Sequence, residues 1–432
     1  MNAFLKMQVY LSALLSIVPF VKPRDRSAVT LLWLPKLMAG AFSPILGLVG
    51  GLGAVLGLAR RDWKLAGAGF VGAGLVARYL GDIAAAKGQF EAAFEPDGPA
   101  RPPDSVPFRR WSLPAGAPGE VRFQRDVVYG QSSIDGGALL ADLWQPPSGA
   151  PRSGLGVIYV HGGAWRIGDK HMGTRTFFRR LAGQGHVILD ISYTLWPEAG
   201  IPVMVSEVKQ AIRWLKENAL AHGVDPERVV LMGGSAGAHL ALLAAYTPDH
   251  PAFQPAPDAG DTSVRGVVAF YPPVDFVTMP PPGGQDAASA PGLLDRAAGA
   301  MIRGLFMLQA EEVEAKVGRE VDPDDFLAAL LGGRADEIPE TYRLLSPIYH
   351  VGDHCPPTLL LHGRDDVFGL TPGVRRLYQA LQGTRTPAIL VEFPHTEHAF
   401  DLVLPQLSPV ARAATQDVMR FLARLANGSL KH

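Results

Sequence analysis

From residue 121 onward, short apolar segments alternate with amphipathic segments, and this alternation constrains the fold more than any other feature of the chain. Six predominantly apolar segments of four to eight residues are typical of strands that are buried on both faces of a sheet. They span residues 155–160, 187–191, 229–232, 264–271, 358–361 and 388–393. Between them, Val205, Val208, Ile212 and Leu215 recur at helical spacing and predict a helix over residues 202–221. Strands that alternate with helices predict an α/β fold, with a mostly parallel sheet and helices on both of its faces.

The N-terminal region differs from this pattern because it holds long stretches without charge. Residues 37–59 include no charged side chain, and 23 residues in a helix are enough to cross a bilayer with some tilt. A polar turn follows at 60–64, and a second apolar stretch over 65–86 is interrupted by Arg78 and Asp82. The two stretches predict a transmembrane helical hairpin, and therefore a multi-pass membrane protein that is anchored through its N-terminus.

Glycines four residues apart, at 47 and 51 and at 53 and 57, would let the two helices of this hairpin approach closely. The alternative is a buried helical hairpin that packs on the rest of the protein. Residues 1–21 are also apolar, and their sequence is compatible with a signal peptide, an interfacial helix or a third membrane segment. The side of the membrane on which the rest of the chain lies is also open, because basic residues flank both ends of the first span.

Proline content divides the chain into three parts. Residues 91–120 contain seven prolines and predict an extended linker that holds the next domain away from the membrane anchor, residues 1–90. Residues 121–432 then form the α/β domain. Within it, residues 276–346 interrupt the alternation and predict a helical cap over the carboxyl edge of the sheet. An ordinary long connection is the alternative for this segment.

The sequence Gly-Gly-Ser-Ala-Gly at 233–237 is the first of the motifs that carry chemistry. It matches the nucleophile elbow, in which a serine stands on a sharp turn between a strand and a helix. Small neighbours are needed there because the backbone folds back tightly. A predicted strand precedes the motif, and the apolar segment 238–245 after it is typical of a buried helix. We therefore expect Ser235 to be a nucleophile, with the N-terminus of the following helix directed towards its site.

A second motif, His-Gly-Gly-Ala-Trp at 161–165, directly follows the first predicted strand. Its glycines leave backbone N–H groups free to point into a site. We expect the N–H groups of Gly162, Gly163, Ala164 and Ala236 to bind the oxyanion of a tetrahedral intermediate. A simple glycine turn after a strand is the alternative. The order of the two motifs along the chain is the order that a hydrolase fold requires, which argues against that alternative.

Candidates for the acid and the histidine of a catalytic triad come later, in the required order of serine, acid and histidine. Asp365 and Asp366 follow the predicted strand over 358–361, and His395 and His398 follow the last predicted strand. In such a triad the carboxylate holds the imidazole in one tautomer and orientation, and the imidazole takes the proton of the serine.

Four motifs together resemble the α/β-hydrolase esterases and lipases, in particular the hormone-sensitive-lipase-like and feruloyl-esterase-like branches. They are residues 161–165, Tyr-Thr-Leu-Trp-Pro-Glu at 193–198, Asp-Pro-Glu-Arg at 225–228, and residues 233–240. The resemblance covers about residues 121–425 and implies an α/β-hydrolase fold that hydrolyses carboxylic esters through a serine. It also implies Asp366 as the acid and His398 as the base. Asp365 and His395 are then expected to be solvated loop residues.

Two positions depart from the lipase-like pattern. Ala164 stands where that branch has a third glycine, and Thr194 stands where it usually has arginine. Both departures suit a neighbouring branch that contains kynurenine formamidases and isoprenylcysteine methylesterases. An amidase or formamidase with the same triad is therefore an alternative function, and a catalytically inactive binding module is another. We expect a small-molecule or lipid-like ester as substrate, with Trp165 lining the acyl pocket.

Charge and cysteine content exclude several other classes of function. The net charge of −1 leaves no broad basic field for binding nucleic acid. Cys355 is the only cysteine, so neither an intrachain disulfide nor a cysteine metal cluster can form. The sequence contains no His-Glu-x-x-His motif and no phosphate-binding loop, and we expect a reaction without metal or cofactor.

Overall fold

The structure, a computed structural model, describes residues 3–23, 25–93, 120–255, 260–279 and 326–427. Most of the predicted linker, over 94–119, lies outside these residues, as does most of the predicted cap, over 280–325. The extended linker and the helical cap therefore stay predictions.

Three long helices form a bundle at the N-terminus. They are α1 (Ala3–Ile17), α2 (Arg26–Ala59) and α3 (Trp63–Ala85), and a short helix α4 (Phe90–Ala93) follows. Side chains cap the two later helices, since Asp25 accepts a hydrogen bond from Ala28 N at 2.8 Å and Asp62 accepts one from Leu65 N at 3.2 Å. Helix α2 begins eleven residues before the predicted span and continues through Pro35 and Pro44.

Glycines bring α2 and α3 into backbone contact. A Cβ atom added at Gly57 would overlap the backbone of Ala66, and one added at Gly69 would overlap the backbone of Ala54. Only residues without a side chain allow helices to approach this closely. Of the four glycines singled out by their spacing, only Gly51 has open space at its Cβ position.

An eight-stranded sheet forms the centre of the second region. Its strands are β1 (Arg122–Gln131), β2 (Ala138–Gln145), β3 (Gly156–Val160), β4 (Val187–Ile191), β5 (Val229–Gly234), β6 (Gly266–Phe270), β7 (Thr358–Gly363) and β8 (Ala388–Phe393). They lie in the order β1-β2-β4-β3-β5-β6-β7-β8. β2 is antiparallel to both of its neighbours, and all other pairs are parallel. The mostly parallel sheet is thus confirmed, and its parallel strands are those that the six apolar segments predicted.

Helices cover both faces of the sheet, as the alternation predicts. They are α5 (Arg175–Gly183), α6 (Ile201–Glu217), α7 (Ala219–His222), α8 (Ala236–Tyr246), α9 (Phe326–Leu331), α10 (Pro339–Leu344), α11 (Thr371–Gln382) and α12 (Pro409–Ala426). Side chains of α6, α8 and α11 join one apolar core, and side chains of α5 and α12 join another on the opposite face. All residues of β3, β5 and β7 are buried because each strand lies between these two cores.

The N-terminal bundle packs directly on the α/β domain, which corrects the expectation that a linker holds the two apart. Leu37, Tyr79 and Ile83 from the bundle belong to the same apolar core as Phe421 of α12. The first residues after the bundle also lie on the sheet, since Phe90 of α4 is fully buried there. The physical reason is that the apolar side chains of the inner face of the bundle are removed from water when they join this core.

The outer face of the bundle is apolar too. Among the described residues, two helical stretches are long and apolar enough to cross a membrane, Ala3–Phe20 and Ser27–Ala59. In an apolar window of 18 residues within each stretch, only 28% of the residues in the first and 39% in the second are buried inside the protein. Helix α3 is not one of these stretches, because Arg78 and Asp82 lower its hydropathy. The predicted transmembrane hairpin of α2 and α3, and with it the multi-pass prediction, is therefore not supported.

Candidate active site

Ser235 stands on the sharp turn that joins β5 to α8. Its backbone has φ +53° and ψ −122°, a strained combination for a residue with a side chain. A Cβ atom at Gly237 would overlap the carbonyl of Val160 on the neighbouring strand, and one at Gly233 would overlap the backbone of Gly237. The glycines of the motif are therefore needed for the turn itself, which lifts the serine above the carboxyl ends of the strands.

His398 and Asp366 meet Ser235 at this edge of the sheet. Asp366 lies three residues after β7, and His398 lies five residues after β8. His398 Nε2 is 2.9 Å from Ser235 Oγ, and His398 Nδ1 is 2.9 Å from Asp366 Oδ2. One imidazole thus contacts both the hydroxyl and the carboxylate, although the three residues come from three separate loops.

The Asp366 carboxylate is buried but held in its ionised form. Burial alone would raise its pKa, yet the charge and the hydrogen bond of His398 outweigh that effect and lower the pKa below its ordinary value. The backbone N–H of Phe368 donates to its other oxygen at 2.8 Å. A buried, ionised acid beside an imidazole stabilises positive charge on that imidazole.

Aromatic rings enclose the His398 imidazole. The ring of Phe368 lies 4.7 Å from it and the ring of Tyr271 lies 4.4 Å from it, both measured between centroids. Tyr271 donates its hydroxyl hydrogen bond to Asp401, and burial raises the pKa of Asp401 to about 6. The imidazole is thereby fixed by packing on two sides as well as by its hydrogen bonds.

The turn at 162–164 lies beside the serine. A Cβ atom at Gly162 would stand 2.8 Å from Gly234 O, and one at Gly163, which has φ +118°, would overlap the carbonyl of Ile167. Ala164 adopts φ +52°, so the departure from a third glycine is accommodated with a left-handed alanine. In the described part of the chain, no acceptor binds the backbone N–H of Gly163 or Ala164.

Ala236 supplies a further backbone N–H, at the first residue of α8. The N–H groups of a first helical turn have no partner within the helix. The four residues expected to form an oxyanion-binding site therefore lie on the turn at 162–164 and at the start of α8, both beside Ser235, and their role stays a prediction.

Trp165 lies beneath the turn and is only 4% exposed. Its indole N–H donates to His239 Nδ1 at 3.2 Å, and its ring packs edge-on against Phe276 at 5.6 Å between centroids. Burial lowers the pKa of His239 to about 4, so that imidazole is neutral and can accept the bond. The predicted contact between Trp165 and substrate stays a prediction, since the indole N–H is already engaged.

Asp365 and His395 are not the solvated loop residues that the sequence suggested. The Asp365 side chain is 11% exposed and lies 3.3 Å from Lys36 and 3.1 Å from Lys22. The His395 side chain is 13% exposed and lies 2.9 Å from Asp82. Both expectations were wrong because the N-terminal bundle covers these loops.

Sequence reasoning also missed Lys36 and Trp33, which reach the loops of the acid and the histidine from α2. Lys36 Nζ lies 2.6 Å from Glu397 Oε1, and Trp33 Nε1 donates to the backbone carbonyl of His398 at 3.0 Å. A lysine directly before the uncharged stretch 37–59 is the available signal, but a basic residue in that position is also typical of the flank of a membrane span. No group of three or more histidine, cysteine or acidic residues able to hold a metal occurs among the described residues.

Comparison with known proteins identifies relatives of this chain. The BD-FAE family matches residues 141–299. The probable carboxylic ester hydrolase LipM of Mycobacterium tuberculosis is 30% identical over 68% of this chain and 63% of its own length. Esterase LipQ of the same organism is 29% identical over 68% of this chain and 61% of its own length. The chain thus spans less than two thirds of either curated relative.

A solved structure shares the fold. The truncated form of a carbohydrate esterase from gut microbiota superposes with a TM-score of 0.52 and 20% identity, over 73% of this chain and 99% of that one. Sheet order, strand–turn–helix geometry at Ser235 and sequence relatives agree with one another. The chain belongs to the α/β-hydrolase esterase family of the hormone-sensitive-lipase-like and feruloyl-esterase-like type.

Proposed function

We propose that this protein hydrolyses carboxylic esters through a covalent acyl-enzyme on Ser235, with His398 as general base and acid and Asp366 as the residue that orients and stabilises the imidazole. The observation that carries the proposal is the pair of 2.9 Å contacts that His398 makes, to Ser235 on one side and to Asp366 on the other. An imidazole in this position accepts a proton from the hydroxyl while the buried carboxylate stabilises the resulting imidazolium.

In the first half-reaction, Ser235 Oγ bonds to the ester carbonyl carbon and its proton moves to His398 Nε2. The carbonyl oxygen gains negative charge, and the backbone N–H groups of Gly163, Ala164 and Ala236 are the donors that we assign to it. One donor of this kind lowers the barrier by about 2.7–4 kcal/mol. The carbon–oxygen bond to the alcohol then breaks, and the alcohol leaves with the proton held by His398.

In the second half-reaction, water attacks the acyl-enzyme. His398 takes one proton from the water, and the hydroxide bonds to the acyl carbon. Collapse of this second intermediate breaks the bond to Ser235 Oγ, which recovers a proton from His398, and releases the carboxylic acid. The cycle needs no metal and no cofactor, and it predicts ping-pong kinetics.

The test is an ester panel on the full-length protein in detergent, from p-nitrophenyl acetate to p-nitrophenyl palmitate, with Ser235→Ala alongside. We expect the parent to hydrolyse at least part of the panel and the variant to be inactive. N-formyl amides are assayed in parallel. Hydrolysis of these amides without any ester hydrolysis would replace the proposal with a formamidase, and a folded parent inactive on both would favour a binding module.

We further propose that α1 and α2 attach the protein to a membrane. Leu48, Leu52 and Val55 lie on one stripe of α2 and are 69%, 64% and 64% exposed. On α1, Phe4, Met7 and Leu14 form a similar exposed stripe. Such helix faces are unfavourable in water and match the acyl region of a bilayer.

Membrane attachment would bring the triad close to the lipid. Lys36 contacts the triad loops, and Leu48 lies twelve residues further along the same helix, which is about 18 Å at 1.5 Å per residue. A hydrophobic, lipid-like ester could therefore pass from the bilayer to Ser235 over a short distance. Longer acyl chains in the ester panel, presented in mixed micelles, test this substrate class.

A further inference from the structure

Lys36 joins the N-terminal bundle to the two loops that carry Asp366 and His398. Its side chain is 4% exposed, and its ammonium lies 2.6 Å from Glu397 Oε1 and 3.3 Å from Asp365 Oδ2. Glu397 directly precedes His398, and Asp365 directly precedes Asp366. One buried cation therefore ties together the two backbone segments that present the acid and the base.

Two other contacts from α2 reach the same loops. Trp33, one helical turn before Lys36, donates its indole N–H to the backbone carbonyl of His398 at 3.0 Å. Its ring lies 6.2 Å from the ring of Phe368, which in turn packs against the His398 imidazole. The imidazole is thus held from α2 through its own backbone and through the neighbouring aromatic side chain.

Stability alone is a poor explanation for this lysine. A buried ion pair seldom stabilises a fold more than apolar side chains of the same size would, since both charges lose their hydration. The cost is visible at Glu397, where burial raises the pKa to about 7 in spite of the nearby ammonium. Lys36 also adjoins the uncharged stretch 37–59, where an apolar residue would fit the pattern of the helix.

The backbones of the two loops are already joined at two points, because Arg364 N donates to Phe393 O at 2.9 Å and Asp365 N donates to Thr396 O at 3.0 Å. The ammonium of Lys36 adds a third tie, between the two acidic side chains that directly precede the acid and the base of the triad.

We propose that Lys36 is a positioning residue for the triad, so that activity depends on α2 being docked against the loops of Asp366 and His398. The proposal rests on the ester hydrolysis proposed above. A displacement of about 1 Å in a catalytic group can cost about 100-fold in rate. Lys36 acts through Glu397 and Asp365 and does not touch the substrate.

The experiment compares Lys36→Met, Lys36→Arg and Lys6→Met in the full-length protein in detergent, with p-nitrophenyl butyrate as substrate. Lys6 is a control from the same bundle, because it forms a 2.6 Å ion pair with Asp62, and within the described residues no ion pair joins it to the triad loops. For Lys36→Met we expect kcat to fall about 10- to 100-fold with KM changed less than about twofold. Lys36→Arg retains the charge and should recover most of kcat, and Lys6→Met should keep the parental value.

Trp33→Phe keeps an aromatic ring but removes the hydrogen bond to His398 O. It therefore tests the contact of α2 with the loop of His398 without removing a buried charge. We expect its kcat to fall several-fold at an unchanged KM. If Lys36→Met does not fold, as judged by circular dichroism and thermal unfolding, this variant decides the matter. Parental kcat in Trp33→Phe would then overturn the inference.

Three further outcomes distinguish a failure of this inference from a failure of the proposed function. Equal losses in Lys36→Met and Lys6→Met would show that bundle stability alone is responsible, and would overturn the role of Lys36. Parental kcat in a folded Lys36→Met would do the same while leaving ester hydrolysis intact. A parent that hydrolyses no ester and is not labelled by a fluorophosphonate would instead remove the proposed function.

Discussion

The N-terminal bundle and the α/β sheet are both built from apolar segments, but the two regions direct their side chains in opposite ways. Leu48 of α2 is 69% exposed, whereas Leu360 of β7 is fully buried between two layers of helices. In the sheet, apolar side chains supply the core. On the outer face of the bundle many of them are exposed, and a bilayer is the environment that we propose for this face.

The two regions also pack differently. Glycines such as Gly69 let the backbones of α2 and α3 touch, whereas branched and aromatic side chains fill the space between sheet and helices. Small residues at helix contacts are typical of membrane proteins, in which lipid offers no hydrophobic drive for association. The comparison teaches that apolar content identifies a segment that avoids water, but it does not show whether protein or lipid covers that segment.

The largest effect that we expect is a loss of ester hydrolysis that leaves membrane binding unchanged. Ser235→Ala should lower kcat/KM for p-nitrophenyl esters by about 10⁴-fold or more, because the attacking oxygen is lost. Its partition onto phosphatidylcholine vesicles should equal that of the parent, since the serine lies in the α/β domain. Vesicle flotation and ester assays on the same samples measure both quantities, and residual parental activity would contradict the assignment of Ser235.

The next effect concerns the exposed face of the bundle. Leu48→Arg places a charge on the stripe that we assign to the lipid, at a cost of about 2.5–3.5 kcal/mol near the centre of a membrane helix. Vesicle partition should weaken by about 100-fold. Leu220→Arg is the matched control, because Leu220 is 91% exposed on the α/β domain and its substitution should leave partition unchanged. Equal partition of the two variants would refute membrane attachment through α2.

A smaller effect tests the packing within the bundle. Gly69→Ala places a methyl group against the backbone of Ala54 and should destabilise the bundle by about 1–3 kcal/mol. Gly67→Ala, on the same helix, meets open space and should be neutral or stabilising by up to about 1 kcal/mol, because alanine favours a helix over glycine. Thermal unfolding in detergent compares the two, and similar melting temperatures would contradict the close approach of α2 and α3.

A further expected effect is a pH dependence of stability at Glu397. Its pKa is raised from 4.5 to about 7 in the folded protein, mainly by burial, so the folded state retains a proton that the unfolded state has lost. The stability that this group contributes is present below about pH 4.5 and is lost as the pH rises to about 7. Urea unfolding should therefore show that the free energy of unfolding falls more between pH 5 and pH 8 for the parent than for Glu397→Gln. If the free energy of unfolding of the two proteins changed equally with pH, the buried environment assigned to Glu397 would be contradicted.

Much of the α/β domain could be predicted because its signals are local. The parallel strands are short apolar runs, and Ser235 lies in a motif whose glycines the turn itself requires. The two antiparallel strands were missed. β1 is largely exposed at the edge of the sheet, and Asp142 interrupts the apolar pattern of β2, where it is buried and contacts His171.

The docking of the bundle could not be predicted, because its contacts join residues that are far apart in the chain. Lys36 and Glu397 are separated by 361 positions, and Asp82 and His395 by 313. Periodicity shows which face of a helix is apolar but does not identify the surface that this face meets. The same limit explains why Asp365 and His395 were expected in solvent.

The most direct test of the account is the mass of the full-length protein after reaction with a fluorophosphonate, which forms a stable bond only with an activated serine. We predict one adduct per chain, located by peptide mapping on Ser235, and no adduct in Ser235→Ala or in protein unfolded beforehand. Absence of an adduct from the folded parent, or an adduct that persists in Ser235→Ala, would contradict the assignment of Ser235, His398 and Asp366 as a working triad.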